Sequence, residues 1–87
     1  MKIKEGFILR QVVGQTVALP MDAELNLNMM ITLNETGAFL WNLMSKKDVS
    51  EADLVDALLK EYDVEREIAE RDVARIVASL AESGVFA

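Results

Sequence analysis

The sequence contains neither cysteine nor histidine. Without cysteine there can be no disulfide and no thiol nucleophile. Without histidine the chain lacks the side chain that most often serves as a general base or a metal ligand, so its serines have no histidine to activate them. The carboxylates show neither EF-hand nor HExxH spacing. We therefore expect no catalytic residues, no metal site and no cofactor.

Long hydrophobic runs are also absent. No apolar stretch approaches the ~20 residues that a membrane span requires, and the first six residues, MKIKEG, contain no apolar core of a signal peptide. These features predict a soluble, cytoplasmic protein with no membrane partner.

The length and charge of the chain limit its partners further. Its 87 residues, of which 52% are hydrophobic, fit one globular domain spanning residues 1–87. Residues 1–49 are electrically neutral overall, whereas residues 50–87 carry four basic and ten acidic side chains and hence the entire net charge of −6. Because an acidic half repels a phosphate backbone, we expect no nucleic-acid partner.

Three β-strands are predicted in the first part of the chain. Phe7–Val13 and Gln15–Leu19 are rich in β-branched and apolar residues, and the glycine between them indicates a hairpin turn. Leu27–Leu33 alternates, with Leu27, Met29, Ile31 and Leu33 on one face and Asn28, Met30 and Thr32 on the other. This period of two predicts a third strand with one buried side.

Three helices are predicted to follow. Asn34 is a good N-cap for the first, although Thr32 with Glu35 could also form a capping box, and this helix ends near Asp48. Ser50, with Asp53 at the reciprocal position, predicts the start of a second helix that ends near residue 63.

The third helix is predicted from about Glu65 to Ser83, with Gly84 as its left-handed cap. We expect Val85 and Phe86 to fold back onto it. Strands followed by helices in this way indicate the α+β class.

Several segments resemble a known family. They are ITLNETGAFLW at residues 31–41, SEADLV at residues 50–55 with the leucines and Tyr62-Asp63-Val64 that follow, and Asp72-Val73 followed by Leu80 and Gly84. Together they resemble the coenzyme PQQ synthesis protein D (PqqD) family over nearly the whole chain, and the L-N-x-T-G-x-x-x-W pattern is the most specific part.

The resemblance implies a winged-helix-like fold that recognises a peptide. Such domains hold the leader segment of a ribosomally synthesised precursor peptide and present it to a modifying enzyme, often a radical S-adenosylmethionine enzyme. The leader adds as a strand to the third strand and lies against the third helix. In this sequence those elements are Leu27–Leu33 and roughly Ile68–Leu80.

The turn after the first helix departs from the family pattern. Members from the quinone pathway usually carry a Cys-Asp-Gly-like turn there, whereas this chain reads Met44-Ser45-Lys46-Lys47-Asp48. We therefore expect the chain to serve a modified peptide other than the quinone precursor.

The predicted peptide-binding residues lie on the third strand and the third helix. A free strand edge can template another strand, and the alanines that widen the apolar arc of the helix would leave a shallow groove, unless they are there for helix propensity alone. The predicted residues are Leu27, Asn28, Met29, Met30, Ile31, Thr32, Arg71, Ala74, Arg75, Val77, Ala78 and Ala81.

Two other functions compete with peptide binding. A subunit-interface domain of a larger enzyme would share the groove but bind no free peptide. A DNA-binding winged helix would need a basic recognition helix, whereas the second and third helices are acidic. The oligomeric state is left open, since an exposed strand edge permits dimers.

Overall fold

The structure is a computed structural model that describes residues 1–21 and 30–87. Within these residues the order is three strands followed by three helices, and the strands form one antiparallel sheet in the order β1-β2-β3. The predicted α+β class and element order are therefore confirmed.

The first two strands form the predicted hairpin. Strand β1 (Phe7–Val12) pairs antiparallel with β2 (Gln15–Pro20), so that only Val13 and Gly14 form the loop. Both loop residues have positive φ, 48° and 78°, as a type I′ turn requires. Gly14 adopts this conformation freely, whereas a β-branched residue such as Val13 does so under strain.

The third strand is shorter than the alternation predicted. Strand β3 (Ile31–Leu33) pairs antiparallel with β2, and Met30 lies exposed before it, so the prediction of a strand over all of Leu27–Leu33 is wrong at Met30. Leu27–Met29 lie outside the described residues. Continued in the same register, Leu19 would lie opposite Met30. The next residue of β2 that turns its backbone groups toward β3 is Pro20, which has no amide hydrogen to donate.

The first two helices begin at the predicted caps. Helix α1 (Glu35–Lys46) begins after Asn34, whose side chain accepts a hydrogen bond from a backbone N–H of the first turn. Helix α2 (Glu51–Glu61) begins after Ser50, which forms a reciprocal capping box with Asp53. Each cap satisfies an N–H group that has no partner within the helix.

The third helix also agrees with its predicted bounds within one residue at each end. Helix α3 (Arg66–Glu82) is followed by Gly84 with φ +73°. The chain then turns back, so that Val85 is fully buried and Phe86 forms an isolated antiparallel bridge with Ile3. Both chain ends therefore contribute to the core.

One hydrophobic cluster joins the sheet to all three helices. Trp41 belongs to this core, and it packs edge-on against Phe7 with ring centroids 5.5 Å apart. Helix α3 contributes four buried side chains to the cluster, three or four residues apart: Ala69, Val73, Ile76 and Leu80.

We expect Val13→Asn to stabilise the domain by about 1 kcal/mol, because asparagine tolerates the left-handed conformation that costs an ordinary L-residue about 1–2 kcal/mol. For a domain of this size the thermal midpoint should rise by about 4–8 °C, measured by circular dichroism. Val13→Thr is the matched control, since it is polar but still β-branched, and it should give no gain. Equal gains from both variants would show that the exposure of Val13, at 98%, and not its backbone, is unfavourable.

The capping box should make stability depend on pH. The backbone N–H of Ser50 donates to the Asp53 carboxylate at 3.0 Å, and this bond, with the Ser50 hydroxyl contact, lowers the pKa of Asp53 in the folded state. The carboxylate therefore stabilises the fold above its unfolded pKa of about 3.9, and this contribution is lost as the pH falls through the lower folded value.

Thermal midpoints of the wild type and Asp53→Asn, taken from pH 7 downwards, test this dependence. We expect the variant to melt lower than the wild type at pH 7, and the two to converge below about pH 4. A difference that stays constant across the range would contradict a charge contribution from Asp53.

Candidate functional site: an open strand edge beside the third helix

The backbone N–H and C=O groups of Thr32 point away from β2. A two-residue hairpin loop closes on a hydrogen-bonded pair, so alternate residues of β2, including Thr16 and Ala18, direct their backbone groups toward β3. Their partners are Leu33 and Ile31. Thr32 lies between these two residues, so its N–H and C=O groups point outward from the edge strand. Another strand can pair with them there.

A groove of about 410 Å³ runs between this edge and α3. Its residues come from β3, the start of α1 and the second half of α3: Ile31, Thr32, Leu33, Asn34, Gly37, Arg75, Ile76, Ser79 and Leu80. We call this the β3–α3 groove.

Buried side chains form the floor of the β3–α3 groove and exposed residues form its rim. Leu33, Ile76 and Leu80 each have less than a tenth of their surface exposed, so they belong to the core and offer an apolar floor. Thr32 and Ser79 are exposed on opposite sides. A groove with an apolar floor and few polar rim groups is the usual form of a binding site for an extended segment.

Gly37 keeps one end of the groove narrow. A Cβ atom built at this position would lie 3.0 Å from Asn34 Oδ1 and 3.6 Å from Leu33 Cδ2. The absence of a side chain lets the first turn of α1 approach β3 closely.

The structure brings some of the predicted site residues together and separates others. Ile31, Thr32 and Arg75 line the β3–α3 groove, Met30 is exposed just before β3, and Arg71 is exposed one turn before Arg75. Four other predicted residues of α3 do not line the groove: Ala74, Val77, Ala78 and Ala81. The three alanines are exposed, and the valine is half-buried. Leu27, Asn28 and Met29 are outside the described residues. Peptide contact by all these residues stays a prediction.

Sequence reasoning named Arg75 on the side of α3 that lines the groove, but it missed Ser79 on the same side. At 100° per residue, Arg75 and Ser79 lie on one flank of the buried stripe of α3, and Ala74 and Ala78 lie on the other. The apolar arc revealed which residues are buried, but it could not reveal which flank faces β3. Ile76 and Leu80 belong to both the core and the groove floor.

The described ranges, 1–21 and 30–87, hold no group of three or more acidic side chains close enough to share a metal ion. Over the same residues, no helix has the length and apolar character needed to cross a bilayer.

The fold and the groove define a small winged-helix-like α+β domain with a free strand edge beside its third helix. The model of the family described as "Coenzyme PQQ synthesis protein D (PqqD)" matches residues 10–85, and the chain belongs to this family. A search for relatives among curated proteins gave no match.

Two solved structures share the fold over almost the whole chain. One is TbiB1 in complex with the TbiA(beta) leader peptide, with 25% identity, a TM-score of 0.72, and coverage of 98% of this chain and 93% of that chain. The other is lasso peptide synthetase B1 complexed with the leader peptide, with 31% identity, a TM-score of 0.70, and coverage of 97% and 93%.

Proposed function

We propose that this domain binds the leader segment of a ribosomally synthesised precursor peptide and delivers it to a modifying enzyme. The observation that carries the proposal is the β3–α3 groove beside the outward-facing backbone of Thr32. Membership of the PqqD family supports it, as do the leader peptides bound to the two structural neighbours.

The affinity should come from both the strand edge and the side chains in the groove. Within β3 only Thr32 presents both backbone groups outward, and each hydrogen bond adds about 0.5–1.5 kcal/mol net. Burying one large apolar side chain of the peptide over the groove floor contributes about 1.5–3 kcal/mol. The two Thr32 bonds together and one buried side chain therefore contribute comparably, about 1–3 and 1.5–3 kcal/mol. The strand edge sets the direction and register of the peptide, and the groove adds selectivity for its side chains.

The domain, in this proposal, is a non-catalytic partner. The enzyme it serves is a radical S-adenosylmethionine enzyme or another peptide-modifying enzyme, as the family implies. The domain acts in the cytoplasm, where a ribosomally made precursor is first available.

A titration followed by amide chemical shifts tests the proposal. The isotopically labelled domain is titrated with the leader segment of the short peptide encoded beside its gene, and with the TbiA(beta) leader as a second probe. We expect shifts at β3 and at the groove side of α3, with micromolar or tighter affinity. Shifts produced by the neighbouring modifying enzyme, but by neither peptide, would overturn peptide binding in favour of a subunit-interface domain.

We expect Thr32→Pro to lower the affinity for the leader at least about tenfold, which corresponds to about 1.4 kcal/mol. Proline removes the outward N–H and places its ring where the added strand would pair, without removing a hydrogen bond of the β2–β3 ladder. The measurement is isothermal titration calorimetry, after circular dichroism has shown that the variant is folded.

Gln11→Pro is the matched control for this variant. Gln11 lies opposite Thr16 in the β1–β2 ladder, at a position whose backbone N–H faces away from β2 on the other edge of the sheet. The Gln11→Pro variant should bind the leader with unchanged affinity. Equal losses from both variants would argue against strand addition at β3.

We expect Ser79→Trp to lower the affinity at least about tenfold, because the indole would fill the groove in which a peptide side chain is to be buried. Ala78→Trp is the matched control: the residue is adjacent and exposed but does not line the groove, so its affinity should stay within about threefold of the wild type. The pair also tests the alanine flank that the sequence suggested. A loss caused by Ala78→Trp alone would place the peptide there instead.

A further inference from the structure

The charge of the β3–α3 groove differs from that of the protein around it. Arg75 is the one charged side chain among the groove-lining residues of the described chain, although the whole protein has a net charge of −6. Arg75 is 65% exposed, and its Nη2 lies 3.7 Å from Asp72 Oδ1, which is too long for a good hydrogen bond. The guanidinium is therefore only weakly held and remains available to a ligand.

A second basic side chain reinforces this end of the groove. Arg71 is exposed one helical turn before Arg75, about 40° from it around the helix axis. Within residues 1–21 and 30–87 it forms no ion pair. A carboxylate placed over Arg75 would thus meet two guanidinium groups, which favour bidentate pairing with carboxylates.

Apolar contacts lie on both sides of Arg75 along α3. Ser79, above the Ile76–Leu80 floor, lies one turn after Arg75, about 6 Å along the helix axis. Ile68 lies two turns before it, about 10 Å away and about 20° from it around the axis, and is 44% exposed. The helix thus presents an apolar floor, a cationic position and a second apolar side chain in a row.

The distance of about 6 Å between Arg75 and Ser79 matches the spacing of an extended peptide, whereas the distance of about 10 Å to Ile68 does not. In a strand, alternate residues face the same side and lie about 7 Å apart, close to the rise of one helical turn. We propose that the groove selects a leader segment in which an acidic residue faces Arg75, with an apolar residue two positions away facing the groove floor. This inference rests on the proposed function and adds the substrate class to it.

The acidic residues of α3 favour this placement of the carboxylate. Glu82, three residues beyond Ser79 and exposed on the same side of the helix, would repel an acid at the Ser79 end. Asp72 is the ion-pair partner of Arg75, so it competes with a peptide carboxylate for the guanidinium. At a few ångströms the attraction of Arg75 outweighs the more distant charges, which salt screens over about 8 Å.

The test selects binders from a displayed library of random short peptides, using the intact domain as bait and Ser79→Trp as the counter-selection against peptides that bind elsewhere. We expect Asp or Glu with an apolar residue two positions away. Selection on Arg75→Gln should lose the acidic preference and keep the apolar one, whereas selection on Arg75→Lys should keep both.

Affinities of one selected peptide and its acid-to-amide version then measure the contact. The amide version should bind the wild type about twofold to fivefold more weakly, as for one partly exposed ion pair, and Arg75→Gln equally well. Asp72→Asn should bind the acidic peptide more tightly than the wild type. Raising the salt concentration should weaken the acidic peptide more than its amide version.

Each other result overturns one specific statement. If groove-dependent peptides are selected without acidic enrichment, or with enrichment that survives Arg75→Gln, the charge selection is wrong and the proposed function stands. Salt that strengthens binding of the acidic peptide would likewise show that the overall charge of −6, and not Arg75, dominates. If no selected peptide is sensitive to Ser79→Trp, the proposed function fails, and this inference fails with it.

Discussion

The buried stripe of α3 is the interaction on which the rest of the structure depends. Ala69, Val73, Ile76 and Leu80 join the sheet, the other two helices and the returning chain ends in one cluster. Burying a large apolar side chain contributes about 1.5–3 kcal/mol, which is a substantial share of the stability of a domain this small. Because two of these residues also form the groove floor, the packing that holds the fold together also shapes the candidate site.

The open edge of β3 is a feature that most domains protect. An unpaired strand edge can pair with another copy and lead to aggregation. Here the described strand is only three residues long, and Thr32 alone turns its backbone outward. Such a short edge gives little backbone pairing by itself, so only a strand whose side chains also fit the groove would bind well. The same shortness therefore limits self-association and favours selectivity.

Local signals in the sequence predicted the fold well, because the groups that form them are close together along the chain. Asn34, Ser50 and Gly84 stand at the helix ends where their cap chemistry placed them. The hairpin followed from Gly14 and the strand on either side of it. Among the described residues the predicted strand failed at Met30, where the ladder approaches Pro20, a residue distant in sequence. The length of a strand depends on its pairing across the sheet, and the alternation within one strand does not reveal which residues it pairs with.

The candidate site was predictable in its elements and in only some of its residues. The family resemblance and the alternation at residues 27–33 pointed to the third strand and third helix, and Ile31, Thr32 and Arg75 do line the groove between them. By itself the sequence determined the order of the elements, the buried stripe of α3 and the lack of thiol and imidazole chemistry. Only the tertiary structure decided that the flank with Arg75 and Ser79, and not the alanine flank, faces β3. A helical period identifies the buried direction, but both flanks are equivalent until the sheet packs against one of them.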